Sequence, residues 1–247
     1  MEYCVITGAA GGIGSALVEK YTDAGYGVIA IDSLPRPKNL NCKDYIQCDL
    51  YDLVNNETYA IEKIGKIRDS LNGYRMKVLI NNAAIQILGS AKDLTRKDWH
   101  QTIDINLLAP FFLAQAFLVD LELSHGCVIN ISSIHADHTK KNFAAYSTSK
   151  AALSGLTRSL AIDLAGRVRV LGIEPAAIET KMLKSGFQGN LEAYNLLNKG
   201  HPIGRIGQAE EVANLAVALV NGGMDFINGV SIRIDGGISS QLFEKIA

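Results

Sequence analysis

A long apolar run is missing from this chain of 247 residues. The most apolar stretch, Leu107 to Val119, is interrupted by Pro110 and Gln115 and is too short to span a bilayer, so no transmembrane helix and no membrane partner are expected. An excess of one charge sign is missing too. With 24 Lys and Arg against 25 Asp and Glu, the chain lacks the electrostatic footprint of a nucleic-acid or anionic-membrane binder, which leaves neutral small-molecule chemistry as the better expectation. The start, Met1 to Thr7, has no basic region followed by an apolar stretch and does not read as a signal peptide, so the expected location is cytoplasmic. Cysteine is scarce. Cys4, Cys42, Cys48 and Cys127 form no close pair and three of them sit in apolar, strand-like runs, which predicts free buried thiols rather than disulfides or metal ligands. The five prolines fall mainly at element ends, and no linker, repeat or low-complexity tract interrupts the chain, so a single domain over 1–247 is expected.

What is present is a regular alternation. Short β-branched runs near 2–7, 27–32, 44–48, 76–81, 126–132, 168–174 and 230–234 read as strands. Amphipathic stretches near 12–24, 53–71, 95–124 (two helices), 147–165 and 209–221 read as helices between them. This is the pattern of βα units, and it predicts a single-domain α/β Rossmann fold, a doubly wound, seven-stranded parallel sheet covered on both faces. The longest stretch without a clear strand or long helix is 179–208, and a loop of that length in a compact domain is usually functional. It is read as a substrate lid, with Lys181, Met182, Phe187 and Tyr194 expected to face the substrate.

Directly after the first strand comes Thr7-Gly8-Ala9-Ala10-Gly11-Gly12-Ile13-Gly14, opening a helix. Gly8 would let the chain turn sharply, and Gly12 and Gly14 would let backbone and helix approach closely, so that a pyrophosphate can sit at the positive helix N-terminus. Eighteen residues past Gly14, the second strand ends at Asp32, whose carboxylate can accept hydrogen bonds from ribose hydroxyls and would repel a 2′-phosphate. No Arg or Lys lies in the glycine turn, Ser33 follows Asp32, and Arg36 is the nearest cation. The expected cofactor is therefore NAD rather than NADP.

Tyr146-Ser147-Thr148-Ser149-Lys150 opens a later helix, and the i, i+4 spacing puts the phenol and the ammonium on one face. A free phenol titrates near pH 10, too high for a base at neutrality, and an adjacent ammonium would lower it. Thirteen residues before Tyr146 stands the pair Ser132-Ser133, at the carboxyl end of Val128-Ile129-Asn130-Ile131. Parallel sheets place ligands at such ends.

At this point the sequence resembles the short-chain dehydrogenase/reductase family over essentially its whole length. The family's Thr-Gly-xxx-Gly-x-Gly turn is matched by Thr7 to Gly14, its Asn-Asn-Ala-Gly by Asn81-Asn82-Ala83-Ala84, and its Tyr-xxx-Lys by Tyr146 and Lys150. Its serine falls on Ser133, its helical asparagine on Asn106, its adenine-contacting Asp on Asp49 in Cys48-Asp49-Leu50, and its Pro-Gly-x-x-x-Thr on Pro175 to Thr180.

The resemblance implies catalytic roles for Asn106, Ser133, Tyr146 and Lys150. It implies cofactor contacts from Gly8, Gly12, Ile13, Gly14, Asp32, Asp49, Leu50, Asn82, Ala83, Tyr146, Lys150, Ile178 and Thr180, with no metal. In the implied mechanism Tyr146 removes the proton of a secondary alcohol while hydride passes to nicotinamide, and Ser133 hydrogen-bonds the same oxygen. Lys150 lowers the tyrosine pKa and holds the nicotinamide ribose, and Asn106 positions a water that links the lysine to solvent. Three residues depart from the family pattern: Ala84 and Ala176 replace glycines, and Leu171 stands where many members have asparagine. If the two alanines needed positive φ, each would cost about 1 kcal/mol or more.

His135, Asp137 and His138 follow Ser133 closely. A loop lining the cleft, with one histidine against a polar substrate, or a solvent-exposed loop, both fit better than a metal site. Trp99 reads as a packing residue, partly buried, and Arg205 to Glu211 as a helix entry. Small and apolar residues on more than one face of the helices near 107–122 and 147–165 suggest a buried interface. Family members pair through these helices, which implies a homotetramer or homodimer. The expected partner is a small-molecule alcohol or ketone, with no nucleic acid. Two alternatives stand beside this reading: a 3-oxoacyl-thioester reductase of the same family, which Asp32 disfavours, and a non-enzymatic NAD-binding regulatory protein, because fold does not imply activity.

Overall fold

The computed structural model describes residues 1–180, 183–184, 187 and 190–242. Its frame is one parallel sheet of β1 (Glu2–Thr7), β2 (Gly27–Asp32), β3 (Asp44–Gln47), β4 (Arg75–Asn81), β5 (Cys127–Ile131), β6 (Arg169–Pro175) and β7 (Ser231–Ile234), in the order β3-β2-β1-β4-β5-β6-β7. The central strands are apolar on both faces, as a sheet sandwiched between helices requires. Alternate residues of β1 feed opposite cores. Cys4 and Ile6 pack with Leu17, Tyr21, Val212 and Ala216 on one side, and Tyr3 and Val5 pack with Ile67, Leu113, Phe117 and Leu121 on the other.

The first layer holds α1 (Gly12–Asp23) and α9 (Ala209–Asn221), joined by the Tyr21 hydroxyl, which donates to the Ala216 carbonyl at 3.0 Å. The second holds α2 (Leu50–Asn55), α3 (Glu57–Leu71), α4 (Arg96–Ile103), α5 (Ala109–Ala116), α6 (Leu118–Leu123) and α7 (Ala144–Asp163). The strand order reverses between β1 and β4, whose carboxyl ends open the crevice where such sheets bind ligands.

Three features differ from the sequence reading. The stretch expected as one helix over 53–71 is two, because Asn56 turns extended (φ −134°) and caps α3 through its side chain. The stretch 95–124 holds four helical segments, of which Asp104–Leu108 is a π-helical turn. The proposed lid contains a ten-residue helix, α8 (Leu191–Gly200), capped by Asn190. No described helix is long and apolar enough to cross a membrane, and all four cysteines are free and buried.

Candidate active site

The glycine turn is a close-packed piece of backbone. Gly8 has φ +66°, and a Cβ there would lie 2.7 Å from the Ala83 Cα. A Cβ on Gly14 would lie 1.9 Å from the Gly8 carbonyl oxygen, and one on Gly12 2.7 Å from Thr180 Cγ2. The turn is braced from β4: the Asn82 side-chain amide donates to Thr7 O (2.9 Å) and Gly8 O (3.1 Å), and the amides of Asn82 and Ala83 donate to Thr7 Oγ1. Gly11 caps α1 with no side chain, and the first turn carries no acidic residue. A positive helix end left without its own cap suits an anion.

Asp32 closes one side of this cradle. Its Oδ2 accepts from Ala10 N (2.9 Å) and its Oδ1 from Leu34 N (3.0 Å), leaving a second lone pair on each oxygen for donors such as ribose hydroxyls. Arg36 points elsewhere, its guanidinium donating to the carbonyls of Leu40 and Cys42 at 3.2 Å. Asp49 caps α2, accepting from Tyr51 N at 2.8 Å, and Leu50 beside it is buried. Ile178 is buried in a bridge to Gly207, and Thr180 Oγ1 accepts from Leu183 N at 3.2 Å. Uncapped helix end, ribose-facing carboxylate and flanking Asp49 and Thr180 fit a dinucleotide.

Just past the end of β5, Ser133 stands beside the Tyr146 phenol, close enough for its hydroxyl to lower the phenol's pKa. Its neighbour Ser132 faces the other way, donating to Lys150 O at 3.1 Å and lying 3.0 Å from Ser154 Oγ. Of the serine pair, Ser133 is thus the one in the site. Lys150 Nζ donates to Ile131 O at 2.8 Å, and burial brings its pKa down to about 8. It lies 5.8 Å from the centre of the Tyr146 ring. Burial raises the Tyr146 phenol above its ordinary value, and the neighbouring Ser133 hydroxyl pulls it back. In this shift desolvation dominates, and the hydroxyl opposes it.

Asn106 sits in the π-turn and is fully buried. Such single-turn bulges recur at functional sites. Its Oδ1 accepts from Ile85 N (2.9 Å), and its Nδ2 donates to Ile85 O (2.9 Å) and Ser149 Oγ (3.0 Å). The side-chain oxygen and amide thus bond the Ile85 backbone and the Ser149 hydroxyl. They tie the segment after β4 to the helix that carries Tyr146 and Lys150.

Ala84 and Ala176 do not have positive φ, so the strain considered for them is absent. Leu171 is a core residue on β6. Asp137 pairs with Arg233 of β7, so it is not a free metal ligand, and no metal-binding cluster occurs among the described residues. Trp99 is half-buried, as expected of a packing residue. Arg205 and Glu211 form an ion pair at the entry to α9 (2.8 Å), which holds the Glu211 carboxyl down at about 2. Of the expected lid residues, Phe187 and Tyr194 meet edge to face at 5.6 Å, whereas Lys181 and Met182 lie outside the described residues. The Arg233 tether and the π-turn had no local sequence signal; Arg233 and Asp137 are 96 positions apart.

Residues 8–239 match the family model described as enoyl-(acyl carrier protein) reductase. Protein FixR of Bradyrhizobium diazoefficiens is 31% identical, covering 94% of this chain and 85% of that protein. The 7alpha-hydroxysteroid dehydrogenase of Escherichia coli K12 is 32% identical, covering 94% and 92%. Among solved structures, ligand-free aldohexose dehydrogenase from Thermoplasma acidophilum aligns with a TM-score of 0.90 at 29% identity, covering 100% of this chain and 97% of that one. The chain belongs to the short-chain dehydrogenase/reductase family and is an oxidoreductase.

Proposed function

We propose that the protein interconverts a secondary alcohol and a ketone with NAD(H), through Tyr146, Ser133, Lys150 and Asn106. The observation that carries this reading is the buried Lys150 ammonium 5.8 Å from the centre of the Tyr146 ring, with Ser133 beside that phenol and a cradle fitted to a dinucleotide next to it. Two of the relatives described above are named for oxidations at CH–OH groups.

NAD, when bound, supplies the hydride acceptor, and that chemistry is the cofactor's own. The turn Gly8 to Gly14, with Asp32, Asp49, Leu50, Asn82, Ala83, Ile178 and Thr180, holds and orients it. In oxidation Tyr146 Oη takes the proton of the alcohol while Ser133 Oγ hydrogen-bonds the same oxygen; in reduction the phenol returns the proton. Lys150 provides positive charge beside Tyr146, and Asn106 fixes the helix that carries both. The segment 179–208, with α8, acts as the lid over a single domain.

Asp32, with Arg36 turned away, favours NAD and counts against an NADPH-driven 3-oxoacyl-thioester reductase. Asp32→Ala is expected to lower kcat/KM with NAD about tenfold and to bring the NADP rate up to or above it, measured as initial rates at equal low cofactor concentration. Equal rates with the two cofactors in the wild type would sink the NAD assignment. The whole reading is tested by following reduced cofactor across secondary alcohols, polyols, sugars, steroids and hydroxyacyl thioesters. No turnover on any of them would favour the non-enzymatic alternative.

Exposed apolar side chains on the interface helices, Phe112 and Leu123 on α5 and α6 and Ile162 on α7, support a homotetramer. Light scattering at micromolar concentration is expected to give four subunits, and a monomer mass would overturn that assignment. Four unpaired thiols suit a cytoplasmic enzyme.

A further inference from the structure

The turn after Ser133 carries a side chain that the proton-transfer chemistry does not use. His135 is half-buried, with its ring centre 4.6 Å from that of Phe143 and 6.0 Å, edge to face, from that of Tyr146. Its Nδ1 lies 3.0 Å from the carbonyl oxygen of His138. A carbonyl only accepts, so Nδ1 carries the proton and the neutral ring presents Nε2 as an acceptor. Burial lowers the His135 pKa, which keeps that tautomer at neutral pH. Nε2 has no partner among the described residues.

The ring is also held in place. His135 N donates to Ser133 Oγ at 3.1 Å, so the imidazole and the hydroxyl beside Tyr146 belong to one turn. Asp137, at the end of that turn, is paired with Arg233, whose Nε lies 3.6 Å from the buried carboxylate of Glu174. Ser154 donates to that same carboxylate at 2.8 Å and adjoins Ser132. Both ends of the turn are thereby fixed to the sheet and to α7. A preorganised acceptor costs a ligand little to engage.

We propose that His135 is a specificity residue: its Nε2 accepts a hydrogen bond from a second hydroxyl of the substrate, so the site favours a vicinal diol or longer polyol over the matching mono-alcohol. This rests on the alcohol dehydrogenase reading above and names its substrate class. A hydroxyl suits the position better than an ammonium, because Lys140 Nζ already lies 4.5 Å over the Phe143 ring that flanks His135.

The test compares 1,2-propanediol with 2-butanol, in which a methyl replaces the second hydroxyl, and then the best polyol of the panel with its deoxy analogue. The wild type is expected to favour each polyol in kcat/KM by about tenfold or more, the range of one well-placed hydrogen bond. His135→Phe should bring that ratio to near one through the polyol's KM, leaving 2-butanol within about threefold of wild type. His135→Gln, which keeps an acceptor, should retain part of the preference. Calorimetric titration of the polyol into the NADH complex should show the same loss in His135→Phe. An unchanged ratio in His135→Phe, or a wild type that prefers mono-alcohols, overturns the inference and leaves the dehydrogenase reading standing. Failure of the whole alcohol panel would remove both.

Discussion

Tyr146→Phe is expected to lower kcat about 10²- to 10⁴-fold on any alcohol the enzyme oxidises, the range general acid and base catalysis supplies, while NADH affinity changes by less than about twofold. The substitution removes one oxygen and keeps the ring that packs on Phe143 and His135. What is lost is the hydroxyl that stands beside Ser133. The sign of the pH dependence follows from the same group. The phenol is held above its ordinary value by burial, so in oxidation, where the phenolate is the base, kcat/KM rises with pH. In reduction the protonated phenol is the acid and the rate falls instead. Because the Ser133 hydroxyl opposes the upward shift, Ser133→Ala is expected to move the alkaline limb to higher pH. Lys150, brought to about 8 by burial, loses its charge above that pH, which removes a charge that favours the phenolate. Steady-state rates in both directions against pH check all three signs. A Tyr146→Phe enzyme with wild-type turnover would end the assignment of Tyr146 as acid and base.

The parts of this site that were legible from sequence are those fixed by periodicity and by strand ends. Strands buried on both faces leave apolar runs, so β1, β2, β4, β5 and β6 stand out, and Asp32 at the end of β2 and Ser133 just past the end of β5 mark the ligand edge. Less legible was what depends on long-range packing. Asp-Ile-Asn-Leu-Leu reads as ordinary helix, and its π-turn follows from the Asn106 bonds to Ile85 and Ser149, 21 and 43 positions away. Helix α8 is only ten residues long, has no fully buried residue and follows a stretch rich in Gly, Lys and Asn, so it reads as part of a loop. The orientation of Lys150 toward Ile131 O rather than toward the phenol could not be read from an i, i+4 spacing, which fixes a helix face and not the end point of a long side chain. The concern over Ala84 and Ala176 transferred a glycine requirement from a pattern of residues, whereas the backbone at those positions needs none.

Gly14→Ala carries the other large expected effect, this time on stability and cofactor binding together. The added Cβ would sit 1.9 Å from Gly8 O, 2.7 Å from Gly8 C and 2.8 Å from Ala9 Cα, all backbone atoms that no rotamer change can move. The peptide it displaces is held by Gly11 N at 3.2 Å and Asn82 Nδ2 at 3.1 Å, and the next amides bond Ile31 O and Asp32 Oδ2. Relief must therefore shift α1 away from β1 or break several of these bonds. Overpacking of this kind costs about 1–3 kcal/mol or more, which for a chain of this size lowers Tm by roughly 2–4 °C per kcal/mol. The same displacement spoils the helix end that would face the pyrophosphate, so NADH affinity is expected to fall by about tenfold or more, read by fluorescence titration at a temperature where the variant is folded. Gly25→Ala is the control. Gly25 has φ +87° but nothing within 4 Å of a new Cβ, so it should cost about 1 kcal/mol from backbone strain alone and leave NADH binding unchanged. If both variants lost the same stability and neither lost NADH affinity, close approach at Gly14 would not be what the turn requires, and its glycine would be explained by backbone conformation alone.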